Sequence, residues 1–496
     1  MAGKQHVISI EGFFRREAGA GETSSAVTED AQTHSIFIES TNLEAKINTV
    51  MEARKKVTPS PAPKIQKVIF VLRDHKDFKK LYEPRTVSLG PIHHRNDKYQ
   101  IGEQYKLVLT YEFVNGSKEK LNCLYKKIGE NINELRDCFE KGVIEGYDDE
   151  TLIWLLLVDG CAILQYIYCA VKNKFEELNI KPDSIAFTQQ DLFLLENQLP
   201  YRLLKWLMRW SGNETELKKS IDKYIDSHVT VPLPEDHSSI LRCATPSSLS
   251  RYLSKKSKQQ QEKQDDGDAI HLLDLLRTRL LHKHQKNKPE KSTKDASKDT
   301  SSLSNLQSYR NVQELQAAGI HVERSKKENT CLDDISFTKL GCLGFLWLPP
   351  ITVDDSTRPK FLNLIAYEMC LDFQNDFAIT SYVSFLDSLI DEANDVKMLR
   401  KAGILYNCLG SDKHVAQLFN EIGTDLVPNS EIYSDIRVQI QKHYKNQLMT
   451  WLAQVYHDHF NSPWTFLAFF GALLALALTV IQTWYTVKYP PGPCKR

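Results

Sequence analysis

Residues 464–487, WTFLAFFGALLALALTVIQTWYTV, run for 24 residues without a charge and stop nine residues short of the C-terminus. As a helix this run spans roughly 36 Å at about 1.5 Å per residue. That is enough to cross a hydrocarbon core of about 30 Å with some tilt. Trp464 at one edge, and Trp484 with Tyr485 at the other, place amphipathic rings where headgroups begin, and Lys488 follows at once. A buried helix of a soluble core is the alternative, but such helices are usually shorter and interrupted by charge. The run predicts a single transmembrane helix over 464–487 with a short tail of 488–496.

A second apolar run, LIWLLLVDGCAILQYIYCAV at 152–171, carries Asp159, Gly160 and Gln165 in its middle. An Asp at a bilayer centre costs about 2.5 to 3.5 kcal/mol even on a lenient insertion scale. The expected element is therefore a buried helix of a soluble core. Tyr147-Asp148-Asp149-Glu150 just ahead of it supplies acidic capping groups for its positive N-terminus.

The start of the chain, MAGKQHVISIEGFF, has one Lys but no apolar core of signal-peptide length, and charges resume at Glu11, Arg15 and Arg16. This predicts insertion after synthesis with the bulk of the chain in the cytosol. The charges flanking the anchor tilt the other way, with Lys442 and Lys445 before it and Lys488, Lys495 and Arg496 after it. The ten cysteines (Cys123, Cys138, Cys161, Cys169, Cys243, Cys331, Cys342, Cys370, Cys408 and Cys494) show no C-x-x-C pair and no zinc spacing. They are read as reduced thiols of a cytosolic domain. Two sequons, at Asn115 and Asn213, become glycosylation sites only if the domain lies outside.

Polar composition and the SPAP sequence at 60–63 mark residues 1–63 as a disordered arm. A helical domain over 64–460 follows, interrupted by a polar insertion at about 254–304 that holds one leucine-rich helix, HLLDLLRTRLLHKH at 271–284. Two segments share one pattern, Val312-x-x-Leu315-x-x-Ala318-Gly319-Ile320 and Val396-x-x-Leu399-x-x-Ala402-Gly403-Ile404. In both, Gly is placed to end a helix in the left-handed conformation. Between them, SFTKLGCLGFLWLPPITVDD predicts a short hairpin, and Ile379 to Ile390 forms a core-facing helical stripe. The fold class expected is mainly α: a large helical globular domain, a small β-hairpin element and one C-terminal transmembrane helix.

Charge is balanced, with 63 Lys plus Arg against 63 Asp plus Glu, so nothing draws the chain as a whole to nucleic acid. Neither a Walker loop, a dinucleotide fingerprint nor a nucleophile elbow occurs, and no cofactor, metal or catalytic residue is expected. His93 and His94 follow the Gly90-Pro91 turn and are read as bonding backbone rather than a metal. His282-Lys283-His284 is read as a complement to a helix C-terminus. Asp159, Glu196 and Glu368 stand in apolar, helix-like runs, where a carboxylate must be paired or hydrogen-bonded. Two of them serving as general acid and base is the sharper reading; ion pairs and backbone bonds are the preferred one.

The ordered blocks YEPRTVSLGPIHH, LLVDGCAILQYI, DLFLLENQLPYRLL, HLLDLLR, FLNLIAYEMC, ITSYVSFLDSLI and SPWTFLAFFGALLALALTVIQTWYTV closely resemble the plant domain-of-unknown-function 247 family over residues 65–487. The resemblance implies a helical plant protein with a C-terminal anchor and no established enzymatic activity. Some relatives are associated with pollen self-recognition, which favours protein partners and a non-catalytic recognition or signalling role. The runner-up is a membrane-tethered hydrolase or transferase that uses buried carboxylates. Ile92 stands where relatives often carry Tyr, and Val68-Ile69 where they carry Val-Pro.

Overall fold

The computed structural model describes residues 47–52, 63–178, 180–229, 269–281, 311–327, 331–341, 343–444 and 463–488. Most of the arm over 1–63, much of the polar stretch, His282-Lys283-His284 and the tail after 488 lie outside the described residues. The longer helices of the first half are α1 Gln100–Asn115, α2 Leu121–Glu130, α3 Asp149–Lys172, α4 Pro182–Asp191, α5 Tyr201–Ser211, α6 Glu214–Val229 and α7 Leu272–Leu280. After the polar stretch come α8 Val312–Ala317, β1 Ile320–Arg324, β2 Ser336–Leu340, β3 Leu343–Leu348, β4 Ile351–Val353 and α9 Thr357–Glu368. The last elements are α10 Ala378–Asp387, α11 Ala393–Lys401, β5 Leu405–Asn407, α12 Asp412–Ile422, α13 Ser434–Tyr444 and α14 Pro463–Lys488. The chain is mainly helical, as its periodicity predicts.

Contacts divide it into two compact units, Met1–Leu280 with Ser356–Ile379, and Leu281–Asp355 with Thr380–Arg496. In the first unit α3 is the hub, packed by α1, α2, α5 and α6. It is the apolar run at 152–171, and 83% of its most apolar window is buried. A helix apolar all round needs such cover on every side, and each fully buried Leu or Ile contributes about 1.5 to 3 kcal/mol. Asp148 starts the helix by accepting a bond from the Thr151 amide at 2.7 Å. Gly160 lies against α5 so closely that a Cβ there would sit 2.5 Å from Leu207 Cδ1.

The second unit holds the sheets. The expected hairpin is present as antiparallel β2 and β3, but β1 pairs parallel with the other edge of β3, and β4 turns away to pair parallel with β5. Both unforeseen strands follow the repeated Ala-Gly-Ile. After α11 the Gly403 amide reaches Arg400 O at 3.1 Å and the Ile404 amide reaches Leu399 O at 3.0 Å, with Gly403 at φ +68°. That is the Schellman stop the spacing predicts. Gly319, at φ +78°, ends α8 with its own amide on Gln316 O. Ile379, Tyr382, Val383, Phe385, Leu386, Leu389 and Ile390 are all buried, as their stripe requires.

One reading is overturned. Cys408, just past β5, is disulfide-bonded, so the chain is not uniformly a set of reduced thiols. Cys123, Cys138, Cys161, Cys169, Cys331 and Cys370 are free. Burial pushes the Cys169 thiol up to about 11 and suits it to the role of a small hydrophobe.

Candidate functional site

In the first unit, residues 85–90 form neither helix nor strand, and 87–90 are buried. Buried peptide groups must be satisfied somehow, and here side chains do what a neighbouring strand would. Asp191, at the end of α4, accepts from the amides of Arg85, Thr86 and Val87 at 2.8 to 2.9 Å. Asn197 accepts from the Leu89 amide at 2.7 Å and donates to Val87 O and Asp191 O. Asp159 accepts from the Gly90 amide at 2.8 Å, and Lys106 Nζ donates to Ser88 O at 2.8 Å. Gly90 adopts φ +69°, and a Cβ on it would meet Gln198 O at 2.8 Å. Both the conformation and the space therefore demand glycine.

The segment after α4 is not the helix its apolar run suggests. Residues 192–200 form turns before α5, and their own side chains hold them. Gln198 donates to Leu192 O and Leu194 O and accepts from the Leu273 amide. Asn363 on α9 accepts from the Leu195 amide and donates to Leu81 O. Such side-chain bonding competes with helix, which is why an apolar run rich in helix formers stays non-helical here.

Each of the three singled-out carboxylates meets one cation and one backbone amide. Asp159 lies 2.6 Å from Lys106 Nζ and takes the Gly90 amide. Glu196 pairs with Arg73 and takes the Val68 amide at 2.8 Å. Glu368 lies 2.7 Å from Arg277 and takes the Ile379 amide at 3.0 Å. Burial alone would depress Lys106, but Asp159 and Glu103, 2.7 Å away, outweigh it and hold the ammonium protonated. Burial works to raise Glu196, yet the His93 bond, Arg73 and the Val68 amide bring its carboxyl below the usual range. Asp191 has no cation of comparable strength, and burial pushes it up to about 6 against its three amide bonds.

His93 differs from expectation. Its Nε2 lies 3.0 Å from Glu196 Oε2, so it faces a carboxylate rather than backbone. His94 packs its ring 6.1 Å from that of Tyr147, and burial, then Lys106, lower its pKa. Among the described residues no group of three or more His, Cys, Asp and Glu side chains is arranged to hold a metal ion. The cavity beside this network, bounded by Val87, Leu89, Lys106, Leu109 and Tyr166, encloses about 20 Å³. One water would fill it.

Lys106, Asp191, Arg277 and Asn363 carry this network, yet sequence reasoning gave them no role. A lone Asp191 beside LFLL was the one available signal, since an acid among apolar neighbours needs donors. Asp159 lies 53 residues from Lys106, Glu368 91 from Arg277 and Leu81 282 from Asn363 along the chain.

The apolar run at 464–487 is helical, as its composition predicts. Leu467–Lys488 is apolar enough to cross a membrane and none of it is buried, which is compatible with an anchor. Trp484 and Tyr485 are exposed, and Lys488 Nζ lies 5.7 Å from the Trp484 ring. The Trp464 side chain is outside the described residues. Thr479, Thr483 and Thr486 return their hydroxyls to carbonyls one turn back, so none needs a partner from lipid. Asn115 ends α1 and Asn213 precedes α6; both are exposed, and Asn213 Nδ2 donates to Gly116 O at 2.8 Å, so the two sequons adjoin.

A helical chain with a small mixed sheet, a side-chain-stapled irregular segment and an exposed apolar C-terminal helix defines a class rather than an activity. The family model described as a plant protein of unknown function, number 247, matches residues 65–478, and the chain belongs to that family. It is 26% identical over 427 residues to an Arabidopsis thaliana protein named "UPF0481 protein At3g47200", covering 82% of each chain. A second Arabidopsis thaliana protein, "Putative UPF0481 protein At3g02645", is 20% identical over 461 residues, covering 81% of this chain and 86% of the relative. No solved structure matches the chain.

Proposed function

We propose that this chain is a non-catalytic recognition module held at a membrane by α14, with protein partners and no nucleic acid. The observation that carries this reading is the pairing of the buried carboxylates. Asp159, Glu196 and Glu368 are each bonded to a cation and a peptide amide. A general acid or base must instead face the reacting group within hydrogen-bond reach. The runner-up, a tethered hydrolase or transferase, requires one of these pairs to open.

The sequence alone favoured a cytosolic bulk. The bonded Cys408 favours the other side, because lasting disulfides belong to oxidising compartments, and the basic residues after the anchor point the same way. We adopt the external or lumenal side, where Asn115 and Asn213 become acceptors. A mobility shift on glycosidase treatment, lost in the Asn115→Gln, Asn213→Gln double variant, supports it; a chain without glycan returns the bulk to the cytosol.

Recognition itself is tested by crosslinking the full chain in intact membranes. Discrete protein adducts on residues 65–460 are the expected result. A turnover abolished by Glu368→Gln in a chain that remains folded would replace this reading with an enzyme.

A further inference from the structure

Trp154 is 48% exposed on a helix whose other apolar residues are almost all covered. It forms one wall of a cleft of about 300 Å³ between α2 and α3, shared with Leu121, Asn122, Tyr125 and Glu150. Glu150 stands four residues before Trp154, on the same face of α3.

Elsewhere several half-buried rings lie beneath the chain's own cations, although the exposed Tyr111 does not. Lys127 lies over Trp210, Lys172 and Lys174 over Tyr168, Arg95 over Tyr147, and Lys326 over Trp347. Among the described residues none lies over Trp154 or Tyr125, and Glu150 has no ion pair. Its neighbour Asp149 does have one, with Arg136 at 2.7 Å. Asp149 and Glu150 both lie in the first turn of α3, and Glu150, carrying no ion pair, also lines the cleft.

Two aromatic side chains and a carboxylate without an ion pair around one cleft are complementary to a planar cation. A guanidinium stacks on a ring and bonds a carboxylate through its fork. We propose that this cleft receives an arginine side chain of a protein partner. The proposal rests on the recognition reading and names the chemistry of its partner.

The full chain, labelled with 5-fluorotryptophan and held in detergent micelles, gives a fluorine resonance for Trp154 identified by its loss in Trp154→Phe. N-acetyl-arginine methylamide should shift that resonance saturably at millimolar concentration. The apparent Kd should rise at least fivefold in Glu150→Gln, and the neutral isostere N-acetyl-citrulline methylamide should leave the resonance in place. No saturable shift, an equal shift by the citrulline compound, or an unchanged Kd in Glu150→Gln overturns the assignment. Stronger binding of choline than of the arginine compound overturns it in favour of a lipid headgroup. Protein crosslinks that persist in Glu150→Gln together with a silent Trp154 resonance would leave recognition standing and remove only this cleft from it.

Discussion

Replacing Lys106 by Met removes the cation from a carboxylate that has no route to water. Asp159 would keep the Gly90 amide at 2.8 Å but lose its partner at 2.6 Å, and Ser88 O would lose its donor. Leaving one half of a buried pair is destabilising by about 3 to 5 kcal/mol. Protonation sets a ceiling on the Asp159 part: taking up a proton at pH 7 costs about 4 kcal/mol for a group whose unfolded pKa is about 3.9, and about 1.5 kcal/mol at pH 5. The variant's folded state therefore holds a proton that its unfolded state lacks, and its deficit relative to the parent shrinks as pH falls. Urea unfolding of a chain truncated after Phe460 should show a loss of about 4 kcal/mol at pH 7 that falls by about half or more at pH 5. Adding Asp159→Asn, which keeps an acceptor for the Gly90 amide and offers a donor to Ser88 O, should recover most of the loss. A deficit below about 1 kcal/mol, or one equal at both pH values, would refute the reading of Lys106 and Asp159 as a structural ion pair.

Gly403→Val should cost about 1 to 2 kcal/mol and lower the melting temperature, because nothing crowds the position and only its φ of +68° resists a side chain. An unchanged melting temperature would remove the cap. His271 accepts the Asp274 amide at 3.0 Å at the start of α7, and burial lowers its pKa to about 4. A base depressed in this way supports the fold fully above about pH 6.5, its unfolded value, and loses that support as pH falls toward 4. The parent's advantage over His271→Asn should therefore fall by about 3 kcal/mol between pH 7 and pH 4 in paired unfolding curves. Asp191, whose raised pKa acts in the opposite sense, is present in both chains and cancels.

Elements whose signal is local were legible. The 152–171 helix, the Gly403 stop, the β2–β3 hairpin and the 379–390 stripe follow from apolar spacing and turn residues within a few positions of one another. The parallel pairings of β1 with β3 and of β4 with β5 were not, since parallel strands join across long connections that leave no local mark. The same limit hid the site. Asp159 and Glu368 announced that they needed partners, but nothing near them in sequence named Lys106 or Arg277. Glu196 was placed in a helix because the apolar run around it dominates the pattern, whereas Asn197, Gln198 and Asn363 bond its backbone into turns. The disulfide at Cys408 had no motif to reveal it.

The central claim is that one helix holds an otherwise soluble recognition module at a membrane, and truncation after Phe460 tests it most directly. On that proposal a chain without 464–487 lacks the segment that inserts, since α3 is buried within its own unit. The truncated chain should leave the membrane pellet on alkaline carbonate extraction and remain soluble, while the full chain stays with the pellet. A truncated chain that resists carbonate as the full chain does would contradict the account and return α3 to the bilayer.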